Sequence, residues 1–112
     1  MTRTPLPQRR RHSVVKLEHG GTDYNVGYGL DAEGVVREVF ADTKRWGTDL
    51  HALLSDACIL ISLLAQNGYT FAQIAASLHE NKPEGIERGV PASIIGAIAR
   101  EGALVEEENR RA

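Results

Sequence analysis

Large and small side chains alternate from Tyr24 to Leu30: Tyr24, Val26, Tyr28 and Leu30 are separated by Asn25, Gly27 and Gly29. A period of two predicts a strand with all its bulk on one face. Upstream, Ser13 to His19 carries Val14, Val15 and Leu17, and Gly20-Gly21 offers the permissive backbone of a tight hairpin. Downstream, Asp31-Ala32-Glu33-Gly34 reads as a four-residue turn. Val35 to Ala41 follows as a third strand, with Val35, Val39 and Ala41 opposite Val36 and Phe40. Three antiparallel strands are expected.

The period then becomes helical. Thr48 is placed to cap a helix with Asp49 in its first turn, and Asn67-Gly68 suits a left-handed stop. Between them, at about 100° per residue, His51, Ser55, Ser62 and Gln66 fall in a stripe about 60° wide, interrupted by Cys58. Leucine, isoleucine and alanine fill most of the remaining surface, from Leu50 to Ala65. That is too wide an apolar arc for a helix lying on one sheet, so it must be covered on two sides, by the other helices or by a second subunit. A second helix is announced by Thr70 and Gln73 at capping-box spacing and by Tyr69 and Ile74 at staple spacing, with Phe71, Ile74, Ala75 and Leu78 as its inner face. Pro83 and Gly85 mark a charged surface loop from Glu80 to Gly89. Pro91 is suited to open a third helix with Ile94, Ile95, Ile98 and Leu104. Gly96 and Gly102 lower its propensity, so packing has to hold it. The expected class is α+β: a three-stranded antiparallel sheet followed by three helices, the central one long and apolar.

Composition narrows the setting. With 112 residues and 42% apolar content, a single domain with a modest core is expected. Arg3, Arg9, Arg10, Arg11 and Lys16 make the first sixteen residues strongly basic, although the whole chain is −2. Residues 1–12 hold two prolines and no apolar period, and read as a flexible basic arm; 13–104 is the domain, and 105–112 a solvated, charged tail or helix end. No run reaches the roughly 20 apolar residues of a membrane span, and the arm lacks the apolar stretch of a secretory signal. One cysteine forms no internal disulfide, which fits a cytoplasmic protein.

Candidate chemistry is sparse. His51 has no partner at helical metal-ligand spacing in His19 or His79, and paired cysteines are lacking, so neither a metal nor a cofactor is expected. Asp23, Asp49 and Asp56 are isolated carboxylates without an identifiable partner, and no catalytic residue is assigned. Gly27, Gly29 and Gly34 lack the strand-to-helix setting of a dinucleotide fingerprint. Cys58 sits in an apolar run with no neighbouring cation to activate it. The strongest candidate is Lys44-Arg45-Trp46-Gly47-Thr48, two cations and an aromatic before a helix N-terminus, where a nucleotide or phosphate would be favoured; alternatively Trp46 lies on the strands and the cations are solvated. The arm residues Arg9, Arg10 and Arg11 are candidates for contact with nucleic acid or an acidic partner, or simply solubilise the chain.

These residues also carry a resemblance. Tyr24-Asn25-Val26 with Gly29, the turn Asp31-Ala32-Glu33-Gly34 and Arg37-Glu38-Val39-Phe40 resemble the strands of the TSCPD domain. That domain lies near the C-terminus of adenosylcobalamin-dependent ribonucleotide reductases and also forms small stand-alone bacterial and phage proteins. The similarity continues through Lys44, Gly47-Thr48, Leu50, Asn67-Gly68, Ile74 and Leu78, then Pro83-Glu84-Gly85, Ser93-Ile94 and Ile98. It covers residues 14–100. The reductase's catalytic thiols, radical chemistry and cobalamin site belong to its barrel domain, and its redox-active cysteine pair to a separate tail, so the resemblance implies the accessory module alone.

The expected function is therefore a non-catalytic accessory or regulatory module, homodimeric, binding a protein partner such as a ribonucleotide reductase or a nucleotide-like anion. The alternative is DNA binding. Thr70 to Leu78 is similar to the first helix of a helix-turn-helix and Pro91 to Ile95 to the start of a recognition helix, with Ser93 and Arg100 as the readers. The twelve residues from His79 to Val90 are long for that motif.

Overall fold

In the computed structural model, residues 11–43, 48–81 and 89–111 are described. Strands β1 (Arg11–His19), β2 (Thr22–Leu30) and β3 (Val36–Thr43) form an antiparallel sheet in the order β1-β2-β3. Helices α1 (Asp49–Gln66), α2 (Phe71–Ser77) and α3 (Ile94–Arg111) follow, with a short ladder of β4 (Glu80–Asn81) and β5 (Val90–Pro91) between the last two.

Gly20 and Gly21 make the first hairpin, with φ of 59° and 80°, values that only glycine adopts without penalty. That turn sets Val15 opposite Val26 and Leu17 opposite Tyr24. Period-two alternation then buries Tyr24, Val26, Tyr28 and Leu30 together, as the sequence predicts. The third strand departs from its expected pattern. A register shift between Gly29 and Leu30 sets Val36 opposite Leu30 and Val39 opposite Tyr28. The irregularity brings both valines into the core, whereas uninterrupted alternation puts them on opposite faces. Phe40 stays on the outer face, lying over Gly27, where a Cβ would overlap its ring.

The inner face of the sheet is covered by α3. Ile94, Ile98, Ala99 and Val105 join the buried cluster, and Tyr28 Oη donates a 2.7 Å hydrogen bond to the Ile98 carbonyl. Phe71 from α2 meets Tyr28 edge-on, with ring centroids 6.1 Å apart. Its ring fills the space beside Gly102, where a Cβ would overlap it, so this glycine weakens α3 locally while making room for the ring. Packing holds the helix, as its composition requires.

The caps follow the sequence. Thr48 accepts from His51 N–H, and Gly68 takes a φ of 101° after Asn67. Both halves of the Thr70–Gln73 capping box are made. Three assignments shift. Pro91 lies in β5, and α3 starts at Ile94 with Ser93 Oγ accepting from Gly96 N–H. Arg11 and His12 open β1. At the other end α3 runs to Arg111, and Glu106 faces inward, accepting a 2.9 Å bond from Val36 N–H, so this part of the charged end is not solvated.

Candidate functional site

Helix α1 meets the sheet at its edge, not on its face. In a three-stranded sheet β3 has β2 on one side only, and the backbone groups on its other side need partners. The polar stripe of α1 supplies them. Ser62 Oγ accepts from Val39 N–H at 3.0 Å, and its proton lies between the carbonyls of Val39 at 3.2 Å and Cys58 at 2.8 Å. Gln66 Nε2 donates to the Arg37 carbonyl at 3.2 Å, and the Ala41 backbone bonds the Cys58 thiol. Cys58, Ser62 and Gln66 thus recur every four residues against Ala41, Val39 and Arg37, which recur every two. The match is geometric: four helical residues rise about 6.0 Å, and two strand residues about 6.8 Å.

The seam is closed at one end by Arg37. Its Nη1 donates to the Ala65 carbonyl at 2.8 Å and its Nε to Asp31 Oδ2 at 3.1 Å. Burial works to raise the pKa of Asp31. Hydrogen bonds from Val35 N–H, Arg37 and Glu33 N–H, with the charge of Arg37, outweigh it and hold the carboxyl below the usual range. At the other end His51 Nε2 lies 3.7 Å from Asp42 Oδ1. The sequence had singled out the stripe but not Arg37 or Asp31; a carboxylate and a guanidinium bracketing a predicted turn were the available signal.

Ser62 and Gln66 share the inner side of α1 with Leu54, Ile61 and Ala65, while several large apolar residues face outward. Ser62 and Gln66 are 8% and 2% exposed, whereas Leu53, Ile59 and Leu60 are 67%, 57% and 62% exposed. Leu63, Leu64 and Tyr69 continue the patch, and with Leu60 and Asn67 they line a shallow depression of about 550 Å³. α2 and α3 pack on each other and α3 touches α1, yet among the described residues nothing covers Leu53, Leu60, Leu63 and Leu64, and this side of α1 stays open. α1 is also the one described helix long and apolar enough, by length and composition, to cross a membrane.

A second groove of about 490 Å³ runs beside the seam, between Phe40 and Glu38 on β3 and Ser55, Ile59 and Gln66 on α1. It assembles no reactive set among the described residues. Ser62 is committed to backbone groups, and burial pushes the Cys58 thiol up to about 11, against the pull of its Ala41 bond. Tyr28 is likewise held protonated, by burial first and by Glu101 and Cys58 in addition. No three His, Cys, Asp or Glu side chains converge on a metal position among the described residues. Asp23 sits 3.6 Å from Lys16 at the surface, and Asp49 and Asp56 are exposed on α1.

Of the proposed anion site, Lys44, Arg45, Trp46 and Gly47 lie outside the described residues, as do Arg9 and Arg10 of the arm. Thr48 is engaged in its helix cap. Arg11 lies in β1 with a guanidinium nitrogen beside Gly34. Both residues named as DNA readers make internal bonds: Ser93 caps α3, and Arg100 donates to the Gly89 carbonyl at 2.9 Å and to Glu80 at 3.0 Å.

No protein-family model, curated protein or solved structure matches the chain. The TSCPD resemblance therefore stands on the residues quoted for it.

Proposed function

We propose that this chain is a non-catalytic accessory or regulatory module of the TSCPD type that works by protein association, with the open side of α1 as its assembly surface. One observation carries the reading: α1 buries Ser62 and Gln66 beside Leu54 and Ile61, and leaves Leu53, Ile59, Leu60, Leu63 and Leu64 in water. A contiguous apolar patch of this kind is characteristic of an interface. In the reductase-related form of the proposal, the partner is an adenosylcobalamin-dependent ribonucleotide reductase, and the setting is cytoplasmic.

The test is capture of purified reductase by the immobilised full chain, compared with a Leu60→Glu, Leu64→Glu double variant. Retention by the native chain and loss in the variant is the expected result; equal capture moves the interface off α1, and no capture removes the reductase. A gel-shift titration at two salt concentrations addresses the DNA alternative, which requires retardation that weakens with salt.

A further inference from the structure

The open side of α1 has a seam of its own. Leu53, Ala57, Leu60 and Leu64 are spaced four, three and four residues apart, the alternation of fours and threes of a coiled-coil stripe. Leu53, Leu60 and Leu64 are exposed along it. The only ionisable residues of α1 are Asp49, His51, Asp56 and Cys58, so the C-terminal half of the patch offers neither charge nor a salt-bridge partner to a foreign surface.

We propose that the occupant of this face is a second copy of this chain, its α1 antiparallel to the first about a two-fold axis crossing between Ala57 and Leu60. This rests on the assembly reading above and names its partner. In that register Leu53 meets the partner's Leu64 and Ala57 meets the partner's Leu60, so every layer is apolar and the small side chain faces a large one. A parallel pair stacks Ala57 on Ala57 and leaves one layer underfilled. The area is sufficient. Leu53, Leu60, Leu63, Leu64 and Tyr69 together expose roughly 500 Å² per chain, or about 1,000 Å² for two, the threshold of a specific interface before flanking surface is counted. A two-fold axis also closes the contact, since the same patch serves both copies.

Sedimentation equilibrium at micromolar concentration tests the assembly, and crosslinking tests its direction. The native chain is expected at twice its 12.2 kDa mass. Leu60→Glu, with an unchanged circular dichroism spectrum, is expected to raise the dimer Kd at least about 100-fold by placing a carboxylate in two central layers. In a Cys58→Ala background, a mixture of Leu53→Cys and Leu64→Cys chains is expected to form an oxidised dimer. Leu53→Cys alone is not, because antiparallel packing sets its two copies about 16 Å apart along the axis, beyond disulfide reach. A native monomer, or a dimer indifferent to Leu60→Glu, overturns the proposal; efficient crosslinking of Leu53→Cys alone overturns the antiparallel register. The assembly reading fails separately, if a native monomer also shows no Leu60-dependent capture of the reductase.

Discussion

Helices α1 and α3 have the same length, 18 residues, and different habits. α3 buries isoleucine, alanine and valine and leaves Glu107, Glu108 and Arg110 in water, the usual arrangement for a surface helix. α1 buries Ser62 and Gln66 among Leu54, Cys58, Ile61 and Ala65, and exposes Leu53, Leu60, Leu63 and Leu64. The difference lies in what each helix meets. α3 lies across the side chains of a sheet face, where apolar contact is the favourable exchange; α1 lies along a strand edge, where each N–H and C=O needs a hydrogen-bonding partner. Which side of a helix is inner is thus decided by the surface it covers.

The contrast has measurable limits. Ile98→Ala, on the face-covering helix, should have the largest effect, lowering stability by about 2–5 kcal/mol in urea unfolding. A smaller loss would mean that α3 is not the main cover of the sheet. Ser62→Ala should follow at about 1–3 kcal/mol, since it leaves the buried backbone groups of Val39 without their partner; Ser55→Ala, exposed on the same stripe, should stay within about 0.5 kcal/mol. Equal effects at the two serines would dissolve the edge seam.

Asp31→Asn is expected to cost about 1–2 kcal/mol at neutral pH by loosening Arg37 at the end of that seam. The pH dependence has a definite sign. A carboxylate whose folded pKa is lowered stabilises the protein above its unfolded value of about 3.9, and that stabilisation disappears as pH falls through the lower folded value. The gap between native chain and variant should therefore be constant near neutrality and close below about pH 4. Leu60→Gln should have the smallest effect on the isolated chain, within about 0.5 kcal/mol when unfolding is followed at high dilution, because Leu60 is already in water in the single chain.

Much of the fold was legible because its signals are local. The Tyr24–Leu30 alternation, the Gly20-Gly21 hairpin, the Thr48 cap and the Thr70–Gln73 box each depend on residues within a few positions of one another. Non-local features were not. Periodicity grouped Ser55, Ser62 and Gln66 on one side of a helix, but nothing in the period says which side faces inward. That required knowing that β3 is an edge strand. The irregularity that brings Val36 beside Val39, and the inward turn of Glu106 toward Val36 N–H, likewise depend on partners far along the chain. Pro91 fits a helix start and a short β-ladder equally well until its pairing with Glu80 is known.

The closure of β3 by side chains has a consequence for aggregation. An open strand edge accepts almost any extended peptide, because backbone pairing carries little sequence information. Here the edge is paired by a thiol and a hydroxyl that accept from strand N–H groups and a carboxamide that donates to a strand carbonyl, a key cut by one sequence. Exchange of the amide hydrogens of Val39 and Ala41 consequently reports whether α1 is docked, and a variant that releases α1 both uncovers an eight-residue strand edge as a template for fibril growth and withdraws Leu54, Ile61 and Ala65 from the core.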